Sequence, residues 1–239
     1  MANYELISFA GPDELARAAA SAWLDEIATA NRAGKPYGVA LSGGRITQKF
    51  FASVVEQNQS RKTSFANVHF FWADERCVPP TDAESNFKLA DELLFQPLKI
   101  SPVQIHRLRG ELPSAAAVKI AAEAIRCFAP TEVNNLPVLD LILLGMGEDG
   151  HVASLFPDAG PEVLNGTAPF LVVDNSPKPP PRRISLSYAA IAVARQVWVL
   201  VSGAGKAPAL RESLKPADTT PLARVIAMRP ATKIFSDLR

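Results

Sequence analysis

A histidine closes a glycine-rich segment, Gly145-Met146-Gly147-Glu148-Asp149-Gly150-His151, that follows a nearly unbroken apolar run over 138–144. A neutral imidazole with a pKa near ~6.5 is a suitable general base at pH 7. A carboxylate two residues away, Asp149, can fix its tautomer or stabilise its charged form. The plainer reading is a histidine hydrogen-bonded within a loop. His69, inside a strand-like run, and His106, beside Arg107 and Arg109, illustrate that reading. The segment also contains G-x-G-x-x-G, a dinucleotide-binding spacing if a helix opens at Gly150 and an acid follows at a second strand's end. Asp174 stands near that place. Glu148 and Asp149 would, however, point negative charge at a pyrophosphate, and Pro157, Gly160, Pro161 and Gly166 leave little room for the helix.

Three further clusters carry chemistry. Ser42-Gly43-Gly44 lies between a strand-like run and a helical one. Glycines there let backbone approach an anion, and a helix N-terminus offers unpaired N–H groups; a bare strand-to-helix turn is the alternative. Asp74-Glu75-Arg76 puts three charges directly after Phe70-Phe71-Trp72. It reads either as a solvated loop or as part of a site, where the arginine fork suits a carboxylate, a phosphate or a developing oxyanion. Gly203-Ala204-Gly205-Lys206 repeats the strand, glycine, helix theme with a lysine fit for phosphate or for plain solvation. Arg182-Arg183 is ambiguous in the same way.

These residues need elements to hold them. Leu15, Ala18, Ala19, Ala22, Trp23 and Ile27 fall on one helical stripe over 12–33, which Gly34 ends. Short apolar runs at 37–41, 68–73, 138–144, 170–173, 184–187 and 197–201 read as strands, with helical stretches between them. Ser85 and Ser114 are placed to cap two of those helices. The alternation predicts an α/β fold with a mostly parallel sheet, and the continuously apolar strands suit a sheet with helices on both faces. Four of the runs end in glycine or in a charged cluster. In open parallel sheets ligands sit beyond the carboxyl ends of the strands, so clusters dispersed in sequence are expected to meet at one edge.

Composition sets the class. The chain has 239 residues, 48% hydrophobic and 21% charged, with 25 basic and 24 acidic side chains. A net charge of +1 gives no basic field for nucleic acid or an anionic membrane, so an anion must be bound by local chemistry. No window approaches the roughly 18 apolar residues of a membrane-spanning helix. Residues 1–5 lack a signal-peptide run, and Cys77 and Cys127 support neither a disulfide framework nor a zinc site. A cytoplasmic setting is expected.

Taken together the segments resemble the lactonase branch of the family that joins 6-phosphogluconolactonases with glucosamine-6-phosphate deaminases. The carrying residues are Leu41-Ser42-Gly43-Gly44, Asp74-Glu75-Arg76 with Ser85-Asn86, Gly145 through Pro157, Pro181 through Leu186, and Gly205-Lys206-Ala207. The resemblance implies one Rossmann-like domain over 1–239, without metal or cofactor, that hydrolyses 6-phosphogluconolactone to 6-phosphogluconate in the pentose phosphate pathway. It implies that Ser42, Gly43, Gly44, Lys206 and Arg183 hold the phosphate. It makes His151 the base that activates water, with Asp149 supporting it, and sets Asp74, Arg76 and Asn86 about the sugar, Arg76 and Asn86 at the lactone end. Where relatives continue the glycine turn with Ser or Thr and then Pro, this chain has Arg45-Ile46-Thr47, and Arg45 offers charge in place of a hydroxyl. The deaminase branch has Asn-Glu-Pro where Leu155-Phe156-Pro157 stands here. Phenylalanine cannot move a proton, which disfavours ring-opening deamination.

Overall fold

The computed structural model describes residues 3–129, 132–216 and 218–238. Met1, Ala2 and Arg239, at the ends of the unit expected over 1–239, lie outside them. β1 (Glu5–Ser8) leads into α1 (Pro12–Arg32), β2 (Tyr37–Leu41), α2 (Arg45–Arg61) and β3 (Val68–Trp72). One residue later the chain is extended again as β4 (Asp74–Arg76). α3 (Asn86–Ala90) then runs through a π turn into the short α4 (Gln96–Leu98), followed by α5 (Ser114–Phe128) and a small hairpin of β5 (Glu132–Val133) and β6 (Leu136–Pro137). Next come β7 (Leu141–Gly145), α6 (Pro161–Leu164), β8 (Phe170–Val173), β9 (Arg183–Leu186), α7 (Tyr188–Val193) and β10 (Gln196–Val201). α8 (Ala207–Ser213), α9 (Pro221–Ala227) and β11 (Lys233–Ser236) complete the order.

Six strands pair in the order β1-β11-β10-β7-β2-β3, every pair parallel. All five residues of β2 are buried, and since successive side chains point to opposite faces, both faces are covered. The four strands that end in glycine or charge, β10, β7, β2 and β3, are neighbours in that order. Register aligns their ends: Leu41 pairs with Trp72, and Leu200 with Gly145. The expected meeting at one sheet edge follows from this alignment.

Helix α1 begins with Pro12, Asp13 and Glu14, which suit an N-terminus, and buries Leu15, Ala19, Trp23 and Ile27. Trp23 packs among Phe50, Phe65 and Phe70, with ring centroids 5.5, 5.9 and 6.4 Å away. Each such fully buried side chain contributes about 1.5–3 kcal/mol relative to exposure. Trp72 packs against Phe87 and Phe95 at 5.8 and 5.9 Å, which seats α3 against the β3 edge.

Two expectations change. The strands at 170–173 and around 184–187 do not join the parallel sheet; as β8 and β9 they form an antiparallel sheet with β4, in the order β4-β9-β8. Asp74-Glu75-Arg76 is therefore a strand and not a solvated loop. Ser114 does not cap α5, because Pro113 occupies the cap position and the Ser114 hydroxyl instead lies 3.8 Å from Cys77 Sγ. Ser85 does cap α3, accepting from the Lys88 amide at 3.2 Å. Among the described residues no helix is long and apolar enough to cross a membrane.

Candidate active site

The glycine turn follows β2 and is pinned from beneath. Ser42 Oγ donates to the Leu143 carbonyl of β7 at 2.8 Å, so its hydroxyl is already engaged. Gly43 packs on Asn86, and a Cβ there would collide with Asn86 Oδ1. Gly44 has φ +110°, a conformation that L side chains rarely adopt, and it delivers the chain directly into α2. No side chain caps α2 and no acid stands in its first turn. Its leading amides therefore keep their positive end free for a ligand. Thr47 Oγ1 donates to Gly43 O at 3.0 Å, so charge at this turn comes from Arg45 and, across the cleft, from Lys206. Burial and repulsion from Arg45 hold Lys206 below its ordinary pKa, partly offset by Glu148.

β4 supplies the next wall. Glu75 is buried and accepts from the amides of Arg76, Asn86 and Phe87, each at 2.8 Å, and from Ser85 Oγ at 3.1 Å. Burial raises its carboxyl pKa, and the three amides hold that rise back. Glu75 thus ties the start of α3 to β4. Asp74 Oδ2 accepts from Ser154 Oγ at 2.7 Å, and Asn86 Nδ2 donates to the Asp74 carbonyl at 2.9 Å. Arg76 pairs in register with Arg183 of β9, so the two side chains leave the same face of that sheet, and Arg76 Nη1 donates to the Glu84 carbonyl and lies 3.4 Å from Glu84 Oε2. Arg183 is buried and spends Nε on Pro180 O and Nη2 on Lys178 O, leaving Nη1 for a ligand. Burial pulls its pKa down, and Asp74 opposes that.

The loop after β7 closes on itself instead of opening a helix. Gly147 N donates to His151 O at 2.9 Å and Gly150 N to Gly147 O at 3.1 Å. Between β7 and β8 the only helix among the described residues is the four-residue α6, and exposed Asp174 is taken by Arg182 at 2.8 Å. The dinucleotide reading therefore loses both its helix and its acid. Inside the loop His151 Nδ1 is hydrogen-bonded to Asp149 Oδ1. The pair lies across Gly147, where a Cβ would collide with the imidazole and with Asp149 Oδ1. Phe156 packs its ring 4.7 Å from that of His151 and lies 5.8 Å from the Arg183 guanidinium. Burial lowers the His151 pKa below its usual 6.5, outweighing the opposing pull of Asp149. For Asp149, burial pushes the carboxyl up, but His151 and Lys178 bring it below the ordinary range. With Nδ1 engaged by Asp149, Nε2 is the ring nitrogen left free, on a partly buried imidazole whose charged form burial disfavours.

One cleft gathers these pieces. Ser42, Gly43, Gly44, Arg45, Asp74 and Arg76 line it, together with His151, Arg183 and Lys206. Four cations and one carboxylate line it, in a chain whose net charge is +1, with Glu84 paired to Arg76 at the rim. Two expected residues stand behind the wall: Asn86 lies beneath Gly43, and Asp149 backs His151. Asn86 therefore supports the turn and Asp74 from beneath. His69 and His106 lie elsewhere and bond each other at 3.0 Å. Among the described residues no group of three or more His, Cys, Asp or Glu side chains is placed to hold a metal ion. Sequence reasoning missed the anchoring role of Glu75, the Ser154 contact to Asp74, and Lys178. A proline-flanked lysine was the only signal for the last.

Residues 10–234 match the family described as glucosamine-6-phosphate isomerases/6-phosphogluconolactonase. The 6-phosphogluconolactonase of Mycobacterium tuberculosis is 41% identical over 167 residues, 67% of this chain and 66% of that protein, just under two thirds of its length. That of Streptomyces coelicolor is 33% identical over 216 residues, 88% of this chain and 82% of the relative. The solved structure of 6-phosphogluconolactonase from Trypanosoma brucei superposes with a TM-score of 0.83 at 28% identity, covering 99% of this chain and 97% of that one.

Two substitutions test this construction. Gly147→Ala should displace the His151–Asp149 pair and lower turnover about 100-fold, as for loss of a positioned base, while circular dichroism stays native. Glu75→Gln replaces an acceptor oxygen with a donor facing amide N–H groups. It should cost about 1–3 kcal/mol in denaturant unfolding.

Proposed function

Because the chain belongs to the glucosamine-6-phosphate isomerase and 6-phosphogluconolactonase family, we propose that it hydrolyses 6-phosphoglucono-1,5-lactone to 6-phosphogluconate. The observation that carries this reading is a carboxylate-backed imidazole in the same cleft as an uncapped helix N-terminus and four cations. A lactone bearing a phosphate needs both. The 6-phosphate sits at the Ser42–Gly44 turn and the leading amides of α2, held by Lys206 and Arg183 with Arg45 beside them. Asp74, the one carboxylate of the cleft, suits a sugar hydroxyl as acceptor.

His151 Nε2 removes a proton from a water whose oxygen bonds to the lactone carbonyl carbon. The carbonyl electrons move onto oxygen, and Arg76 stabilises that oxyanion. The oxyanion collapses, the ring carbon–oxygen bond breaks, and the imidazolium returns its proton to the departing ring oxygen as a hydroxyl. The new carboxylic acid then ionises to solvent. Asp149 keeps the Nδ1 proton in place throughout and stabilises the transient imidazolium. Phe156 against His151 supports hydrolysis over amino-sugar deamination, since that ring offers no proton-transfer group. The two free cysteines suit the reducing cytoplasm.

The direct assay is acid release from fresh 6-phosphogluconolactone in a pH-stat, corrected for spontaneous opening; a rate equal to background would refute the proposal. His151→Ala should lower turnover about 100-fold or more. Because burial disfavours the imidazolium, the base stays neutral below pH 6.5 and fails only as pH falls through its lowered pKa. The acid limb of kcat/KM, measured on unphosphorylated gluconolactone so that no phosphate titrates, should therefore lie below 6.5. A limb above it would contradict the buried-base assignment. Lys206→Ala should raise KM for the phosphorylated lactone and leave the unphosphorylated one nearly unchanged; equal effects on both would remove Lys206 from the phosphate site.

A further inference from the structure

Between β8 and β9 the chain makes a braced strap over 176–181. Ser176 N donates to Pro181 O at 2.9 Å, and Ser176 Oγ donates to Lys178 O at 2.8 Å while accepting from Lys178 N at 3.2 Å. Arg183 closes the other side, with Nη2 on Lys178 O at 3.0 Å and Nε on Pro180 O at 3.2 Å. The backbone that carries Lys178 is therefore tied to a guanidinium of the cleft wall. Its ammonium stands 4.0 Å from Asp149 Oδ1, the same oxygen that holds His151 Nδ1. A half-exposed ion pair contributes little to stability, but here its acceptor is the atom that orients the base.

We propose that Lys178 is a positioning residue of the hydrolytic pair, holding the Asp149 carboxylate on the Nδ1 side of His151 from the braced strap. This rests on the hydrolase reading above. The groups that bear on the imidazole are Asp149 from its own loop, Asp74 from β4, Lys178 from the strap and the uncharged Phe156 ring. Of the cations around the cleft, Lys178 bears most on the imidazole, and its charge opposes the imidazolium and favours the neutral base. Removing it shifts the balance toward Asp149 and Asp74, which raises the pKa of His151. Asp149 keeps its bond to Nδ1 but is held there less firmly.

The test compares wild type, Lys178→Met and Lys178→Arg by two measurements. The first is the ring-proton NMR titration of His151 in the substrate-free protein, its signal assigned by its loss in His151→Gln. The second is kcat and KM for 6-phosphogluconolactone. Lys178→Met should raise the titration midpoint and lower kcat about 2- to 5-fold, the worth of one half-exposed ion pair, with KM little changed. Lys178→Arg should restore both. A midpoint that does not move overturns the proposal, and so does a rise in KM with kcat intact, which would make Lys178 a substrate contact. A wild-type protein inactive on the lactone would sink the hydrolase reading alone. The titration, made without substrate, would still decide whether Lys178 holds the pair.

Discussion

All six strands of the main sheet run in one direction, so every loop leaving a carboxyl end emerges on the same side of the core. Four of these loops, after β2, β3, β7 and β10, come from neighbouring strands whose register aligns their last residues. The chain needs no long excursion to bring Gly43, Asp74, His151 and Lys206 together, although more than 160 positions separate the first from the last. The buried aromatic and aliphatic core fixes the strands. The strands in turn let the loops be rich in glycine and polar groups that would not hold a shape alone.

Within that edge, two kinds of order meet. The anion side is built from helix amides without a capping side chain and from lysine and arginine groups gathered in a molecule that is otherwise nearly neutral. The base side is built from what is tightly paired. His151 is bonded to Asp149, pressed over Gly147 and covered by Phe156. Burial disfavours the imidazolium, while the carboxylate behind it engages Nδ1 and leaves Nε2 free. The antiparallel sheet of β4, β9 and β8 joins the two sides, because it carries Asp74 and Arg76 opposite Ser185 and Arg183.

The parts of this arrangement that follow from local pattern were legible in the chain. The strand over Tyr37–Leu41, the stripe of α1 and the cap at Ser85 are properties of neighbouring residues, and they stand as expected. The cleft position of Ser42, Gly43, Gly44, Arg45, Asp74, Arg76, His151 and Lys206 followed from strand polarity, whereas Arg183 reaches it from the start of antiparallel β9. What was not legible depends on partners distant in sequence. Glu75 looked like one charge among three until its burial showed it accepting from the amides of α3. Asn86 looked like a lining residue, but the close packing demanded by Gly43 puts it beneath the turn. β1 is an exposed four-residue edge strand, and β11 has only Ile234 and Phe235 to mark it, so neither stands out by periodicity. Ser114 failed as a cap because Pro113 had already taken the position.

The central claim is that one ligand spans the uncapped helix and the imidazole. A crystal structure with 6-phosphogluconate bound measures this directly. The phosphate should lie at the leading amides of α2 beside Lys206, and the product carboxylate within about 2.6–3.2 Å of His151 Nε2. A phosphate bound outside this cleft, or one resting on His151 with the carboxylate at Gly44, would contradict it.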